Sequence, residues 1–160
     1  MVSEHEPRGV GSTGHASASS CTEVLLEAPE GAEAAVLWGV LDDAGYRVSW
    51  CPGPEGPPAA WCPLLGGCRC SLVASADVVV FALGLDNASC RHVLKEMGRL
   101  HPEMAVIVEA HPSEAAQWGT LLQNHTVLSA PPSRRSVLEA LDTSVSHNRR
   151  VVSARRQGLE

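Results

Sequence analysis

The chain has 160 residues, 44% of them hydrophobic and 19% charged, which is enough apolar material for one domain with its own core. A formal charge of -6 excludes a global electrostatic drive toward nucleic acid or anionic membrane, whose surfaces are themselves negative, so direct nucleic-acid binding and a membrane partner are not expected. No apolar stretch approaches the roughly 18 residues of a membrane-spanning helix. Glu4 and Glu6 stand where a secretory leader would need an apolar core, which makes the cytoplasm the expected location.

Residues 1–21 are rich in Ser, Gly, Ala and His without a hydrophobic period, and read as a disordered tail. Order should begin at Thr22-Glu23-Val24-Leu25-Leu26, a strand that stops at Ala28-Pro29 because proline cannot donate to a ladder. Between Glu30 and Ala44 the residues Ala34, Leu37, Trp38 and Leu41 recur at helical steps, and Gly45 is placed to close the last turn. Tyr46 to Trp50 alternates as a second strand.

The stretch from Cys51 to Cys70 holds four of the six cysteines among repeated prolines and glycines, and should be irregular where a helix would otherwise connect two strands. Asp77-Val78-Val79-Val80-Phe81-Ala82-Leu83-Gly84-Leu85 contains a short β-branched run without strict alternation. Such a run reads as a strand buried on both faces, as in a parallel sheet.

Asn87 to Leu100 is the next helix, with Cys90, Val93, Leu94, Met97 and Leu100 on its apolar face, and His101-Pro102 ends it. Ala105 to Val108 makes a fourth strand. Ser113, with Glu114 in the first turn, can start a helix that runs toward Asn124. Thr126 to Leu128 is the fifth strand, and Pro131-Pro132-Ser133 leads into a last helix whose buried face is Val137, Leu138 and Leu141. The domain is expected over residues 22–144, followed by a flexible basic tail, 145–160, in which Arg149-Arg150 and Arg155-Arg156 oppose the charge of the whole chain.

Alternating strands and helices imply an α/β fold, a doubly wound parallel sheet between helix layers with right-handed crossovers. The order resembles the receiver domain of response regulators (CheY-like), most specifically at Asp77 to Leu85, at His101-Pro102-Glu103-Met104-Ala105-Val106-Ile107-Val108 and at the Ala130-Pro131 step. The resemblance implies a flavodoxin-like, five-stranded sheet of order 2-1-3-4-5.

Carried over one position at a time, the resemblance places the metal-holding acidic pair on Glu27 and Ala28, the phospho-acceptor aspartate on Ala82, the switch hydroxyl on Ala110 and the lysine on Ala130. Pro131 matches the proline after that lysine. Such a pocket lacks an oxygen nucleophile, a second carboxylate and a cation, all of which Mg²⁺-assisted phosphoryl transfer requires. The implied function is therefore that of a pseudo-receiver, a regulatory module that is no enzyme, needs no cofactor and works by binding a protein partner, with a homodimer also open. The segment after the domain is too short for a helix-turn-helix unit, so no DNA-binding output domain is expected within this chain. Glu27 alone would be a solvated carboxylate at a strand end. The composition, with Lys95 as the only lysine and abundant Ala, Val and Gly, resembles proteins of high-GC bacterial genomes.

The alternative reading is a thiol- or metal-responsive sensor built on Cys51, Cys62, Cys68 and Cys70. Thiolates at that density could bind Zn²⁺ or form a disulfide, with Gly66-Gly67 letting Cys62 and Cys68 approach. The intervals of ten, five and one residues do not repeat a C-x2-C unit, and no histidine lies nearby, so packing of the cysteines as small hydrophobes is the plainer expectation. Trp50 and Trp61 flank the stretch and would pack there. His101, at a helix end, is explained by dipole and turn chemistry. Neither a G-x-G-x-x-G nor a G-x4-G-K-[ST] phosphate loop occurs.

Overall fold

The computed structural model describes residues 21–54 and 62–157, with side chains described through residue 147. The expected tail over the first twenty residues, and Trp61, lie outside the described residues. Five parallel strands form one sheet in the order β2-β1-β3-β4-β5: β1 (Glu23–Glu27), β2 (Arg47–Cys51), β3 (Val78–Phe81), β4 (Ala105–Ala110) and β5 (Thr126–Ser129). The helices are α1 (Ala32–Asp43), α2 (Ser71–Ser75), α3 (Ala88–Leu100), α4 (Pro112–Gln117), α5 (Gly119–Leu122) and α6 (Arg134–Gln157). No helix among the described residues is long and apolar enough to cross a membrane.

All four residues of β3 are buried, which is the physical meaning of its unbroken apolar run. Successive side chains go to opposite faces. Leu25, Val79, Phe81, Val106 and Val108 join a core with α2 and α3, whereas Val24, Leu26, Val78, Val80 and Ile107 join a second core with Leu37 and Leu41 of α1 and Val137 and Leu141 of α6. This alternation sorts everything that reaches the carboxyl edge of the sheet.

Local chemistry sets the helix ends. Gly45 takes φ 85 and donates its N–H to Asp42 O at 2.9 Å, closing α1 as its position in the sequence implies. Asn87 caps α3 by accepting from Ser89 N at 2.7 Å. The helix expected from Ser113 starts at Pro112 and is broken into α4 and α5 at Trp118. One Glu114 oxygen accepts from His111 N and the other from Leu85 N, both at 2.8 Å, so this carboxylate ties the loop after β3 to α4.

The segment between β2 and β3 is irregular, with a 3-10 turn at Pro63–Gly66 and the five-residue α2 as its only helical pieces among the described residues. Prolines 52, 54, 57, 58 and 63 lack the N–H groups a longer helix would need. The last helix runs on to Gln157, past the expected end at Ser144. Residues 145–157 contain neither glycine nor proline, so nothing in them stops a helix already begun.

Candidate functional site at the carboxyl edge of the sheet

Parallel strands end together, and the six positions expected to form the pocket stand on that shared edge. Ala82 N donates to Glu27 O at 2.7 Å, and Ala130 N donates to Ala110 O at 3.0 Å, so the ends of β1 and β3, and of β4 and β5, are bonded side by side. Ala28 N donates to Cys51 O at 3.1 Å, and its own carbonyl accepts from Trp50 Nε1 at 2.9 Å. The Ala130-Pro131 peptide is cis.

The faces are less uniform than the edge. Ala28 and Ala82 join the core under α1 and α6, while Ala110 is buried in the opposite core. Phe81 pairs with Val108, so Ala82 and Glu109 are the next residues on their strands, and Glu109 alternates onto the α1 side. Glu109 thus shares the face of Ala82, where the resemblance had placed Ala110. Nothing in the sequence singled it out. With Glu33, Val36, Leu37, Pro131 and Pro132 it lines an open groove of about 200 Å³. Burial, then the nearby Glu33, hold the Glu109 carboxyl above its usual range, while His111 acts in the other direction.

Glu27 corrects its expected solvated state. It is 3% exposed, on the α2 and α3 side, and its Oε2 has no hydrogen-bond partner among the described residues. Burial alone pushes its carboxyl up to about 7. The cause is tertiary, because the face of the sheet it is on is the one packed under α2 and α3.

Cys51, at the end of β2, pairs in register with Glu27. Burial first, then the neighbouring Glu27, Cys62 and Cys70, push the Cys51 thiol up to about 11, against a hydrogen bond from Gly53. Of the four expected cysteines, Cys62 and Cys70 therefore lie within electrostatic reach of Cys51, which is also beside the buried carboxyl. Cys68 stands apart, exposed, with its Sγ 3.7 Å from Gly66 O, and Gly67 makes the turn before it at φ 70. All six cysteines are free thiols. Among the described residues no group of three or more His, Cys, Asp or Glu side chains is arranged to hold a metal ion.

His101 is more than a helix-end residue. It is 2% exposed, and its Nε2 accepts from Cys70 N at 3.3 Å, which requires an unprotonated Nε2. Burial, then the Arg69 guanidinium, hold its pKa below the ordinary histidine value, with Glu103 opposing. It pins the start of α2 to the end of α3.

No protein-family model and no curated protein matches the sequence. Solved structures do. The signal receiver domain of an HD domain-containing protein from Pseudomonas fluorescens Pf-5 superposes with a TM-score of 0.60 at 18% identity, over 81% of this chain and 98% of that one. The receiver domain of a sensor histidine kinase from Pseudomonas aeruginosa PAO1, solved with magnesium coordinated in its active-site cleft, gives 0.58 at 15% identity, over 79% and 99%. A structure from a family of redox sensors in the streptococci, described as evolved from two-component response regulators, gives 0.62 at 11% identity, over 83% of this chain and 55% of that one. The chain therefore has the response-regulator receiver fold, with its strand order of 2-1-3-4-5.

Proposed function

We propose that this chain is a receiver-fold signalling module that does no phosphoryl transfer and acts by binding a protein partner. The observation that carries the reading is Ala82, a methyl group at the end of β3, the position to which the resemblance to receivers assigns the acceptor carboxylate. The donor set around it supports the same reading. Magnesium calls for several oxygen ligands in near-octahedral array. Glu27 is turned to the far side of the sheet and is half protonated near neutrality, Ala28 and Ala130 carry only methyl groups, and neither Glu109 nor Ala110 has a hydroxyl to follow a phosphoryl group. These residues do not fit the metal.

A scaffold that keeps its fold without its reaction retains its surfaces. In the receiver fold the output surface is made by the fourth helix, the fifth strand and the last helix, here α4, β5 and α6. β5 is an edge strand with Val127 40% exposed, the kind of apolar position at which a partner's side chain can be covered.

Acetyl phosphate with Mg²⁺ tests the reading by intact mass and phosphate-affinity electrophoresis. The wild type should gain no phosphoryl group. Ala82→Asp should also label poorly, because a restored nucleophile still lacks a lysine, a second acid and a bound cation. One Mg²⁺-dependent phosphoryl group on the wild type would overturn the proposal.

One observation favours a second reading, thiol responsiveness: Cys62 and Cys70 come near Cys51 although the three are spread along an irregular segment. If the thiols only pack, protein purified under reducing conditions should hold well under one equivalent of zinc, and Cys62→Ser with Cys68→Ser should melt within a few degrees of wild type. Stoichiometric metal that is lost in the double variant would make the cysteine segment the functional site.

A further inference from the structure

The groove beside Ala82 and the far end of α6 are complementary. The groove has an apolar floor of Leu37, Pro131 and Pro132, with Val36 66% exposed at its rim. It also holds two carboxylates, Glu33 and Glu109, neither of which makes an ion pair among the described residues. Like charges side by side on a partly apolar surface are left for a cation to neutralise, and Glu33 is one of the causes that raise the Glu109 pKa. An occupant that suits both parts carries basic groups next to aliphatic ones.

The chain itself contains such a segment. α6 is 24 residues long, about 36 Å at the usual helical rise. Its first half packs on the sheet through Val137, Ala140, Leu141 and Ser144, after which Ser146 and His147 are exposed. The rest of the helix, residues 148–157, reads Asn-Arg-Arg-Val-Val-Ser-Ala-Arg-Arg-Gln, with four arginines, two adjacent valines and no acid.

We infer that residues 148–157 of one copy dock into the groove formed by Glu33, Glu109, Val36 and Pro131–Pro132 of a second copy. The contact is between molecules because the groove lies at the start of α6, and one continuous helix carries residues 148–157 about 20 Å or more away from it. Its two sides differ, so each molecule keeps one free groove and one free helix end, and association is head to tail rather than a closed two-fold pair. The contact is small and charged, hence weak and salt-sensitive.

Sedimentation velocity of the full chain from micromolar to millimolar concentration tests this. The average mass should rise steadily with concentration at low salt, and the affinity should fall about tenfold or more in high salt. Glu33→Gln, at an exposed helical site, should weaken association severalfold without changing the melting temperature. Two multiple variants then separate the surfaces: Glu33→Gln with Glu109→Gln, and Gln at Arg149, Arg150, Arg155 and Arg156. Each alone should remain a monomer, and an equimolar mixture should form a 1:1 heterodimer that grows no further, since only one native interface is left. A wild type that stays monomeric throughout, a closed dimer indifferent to Glu33→Gln, or a mixture of the two folded variants that fails to pair would each overturn the inference.

Discussion

Glu27→Gln should remove about 3 kcal/mol of pH dependence from the stability of the domain. The wild-type carboxyl titrates near 7 when folded and near 4.5 when unfolded, and each unit of separation is worth about 1.4 kcal/mol. Its folded pKa is the raised one. The contribution of the neutral group is therefore fully present below pH 4.5, is eroded as the unfolded chain ionises, and is gone once the pH has passed 7. Glutamine cannot ionise, so the variant should gain on the wild type across that window and by most of the 3 kcal/mol at pH 8. Urea titrations of both proteins from pH 4 to 8 read the difference directly. A constant offset between the two curves would mean that Glu27 is hydrated or paired in solution.

Comparing the two proteins cancels the other titrating groups, His101 above all. Its folded pKa is depressed, so its contribution is present above the unfolded value and is lost as the pH falls through the folded one. The two buried groups thus act in opposite directions over the mildly acidic range. They stand at the two ends of the segment that joins β2 to α2: Glu27 beside Cys51 in the sheet, and His101 bonded to Cys70 N.

What could be read from the residues, and what could not, divides along local and non-local physics. Val78 to Phe81 announces a strand because β-branched and aromatic residues suit a pleated, buried surface, and Asn87 announces a helix start because its side chain can accept from the first free N–H groups. Such signals need no partner. Glu109 was invisible because the face on which a residue emerges depends on register, and a slip of one residue exchanges Glu109 for Ala110. Glu27 departs from its expected solvated state for a different reason. A carboxylate at a strand end is solvated unless another part of the chain covers it, and the core on its face of the sheet is closed by α2 and α3, far along the sequence. The expected flexible tail is helical to Gln157 because a helix continues past its buried face as long as propensity permits and neither glycine nor proline intervenes.

Phe81→Ala should cost about 3–5 kcal/mol, whereas Ala82→Ser, one residue along the same strand, should change stability by less than about 1 kcal/mol. Phe81 is 0% exposed and packs at the centre of the core beneath α2 and α3, between β1 and β4, where no neighbour can collapse into the space of a lost ring. Ala82 is half-buried at the open edge, and its N–H is already bonded to Glu27 O, so an added hydroxyl can turn toward solvent. The contrast follows from the proposed function. If the fold is kept as a binding scaffold, its energy resides in residues such as Phe81, and the position of Ala82 is free to vary. Thermal or urea unfolding of the two variants under one buffer condition measures both numbers. A cost at Ala82→Ser comparable to that at Phe81→Ala would show that the alanine is held in place by packing, and the edge of the sheet would then be a structural joint in its own right.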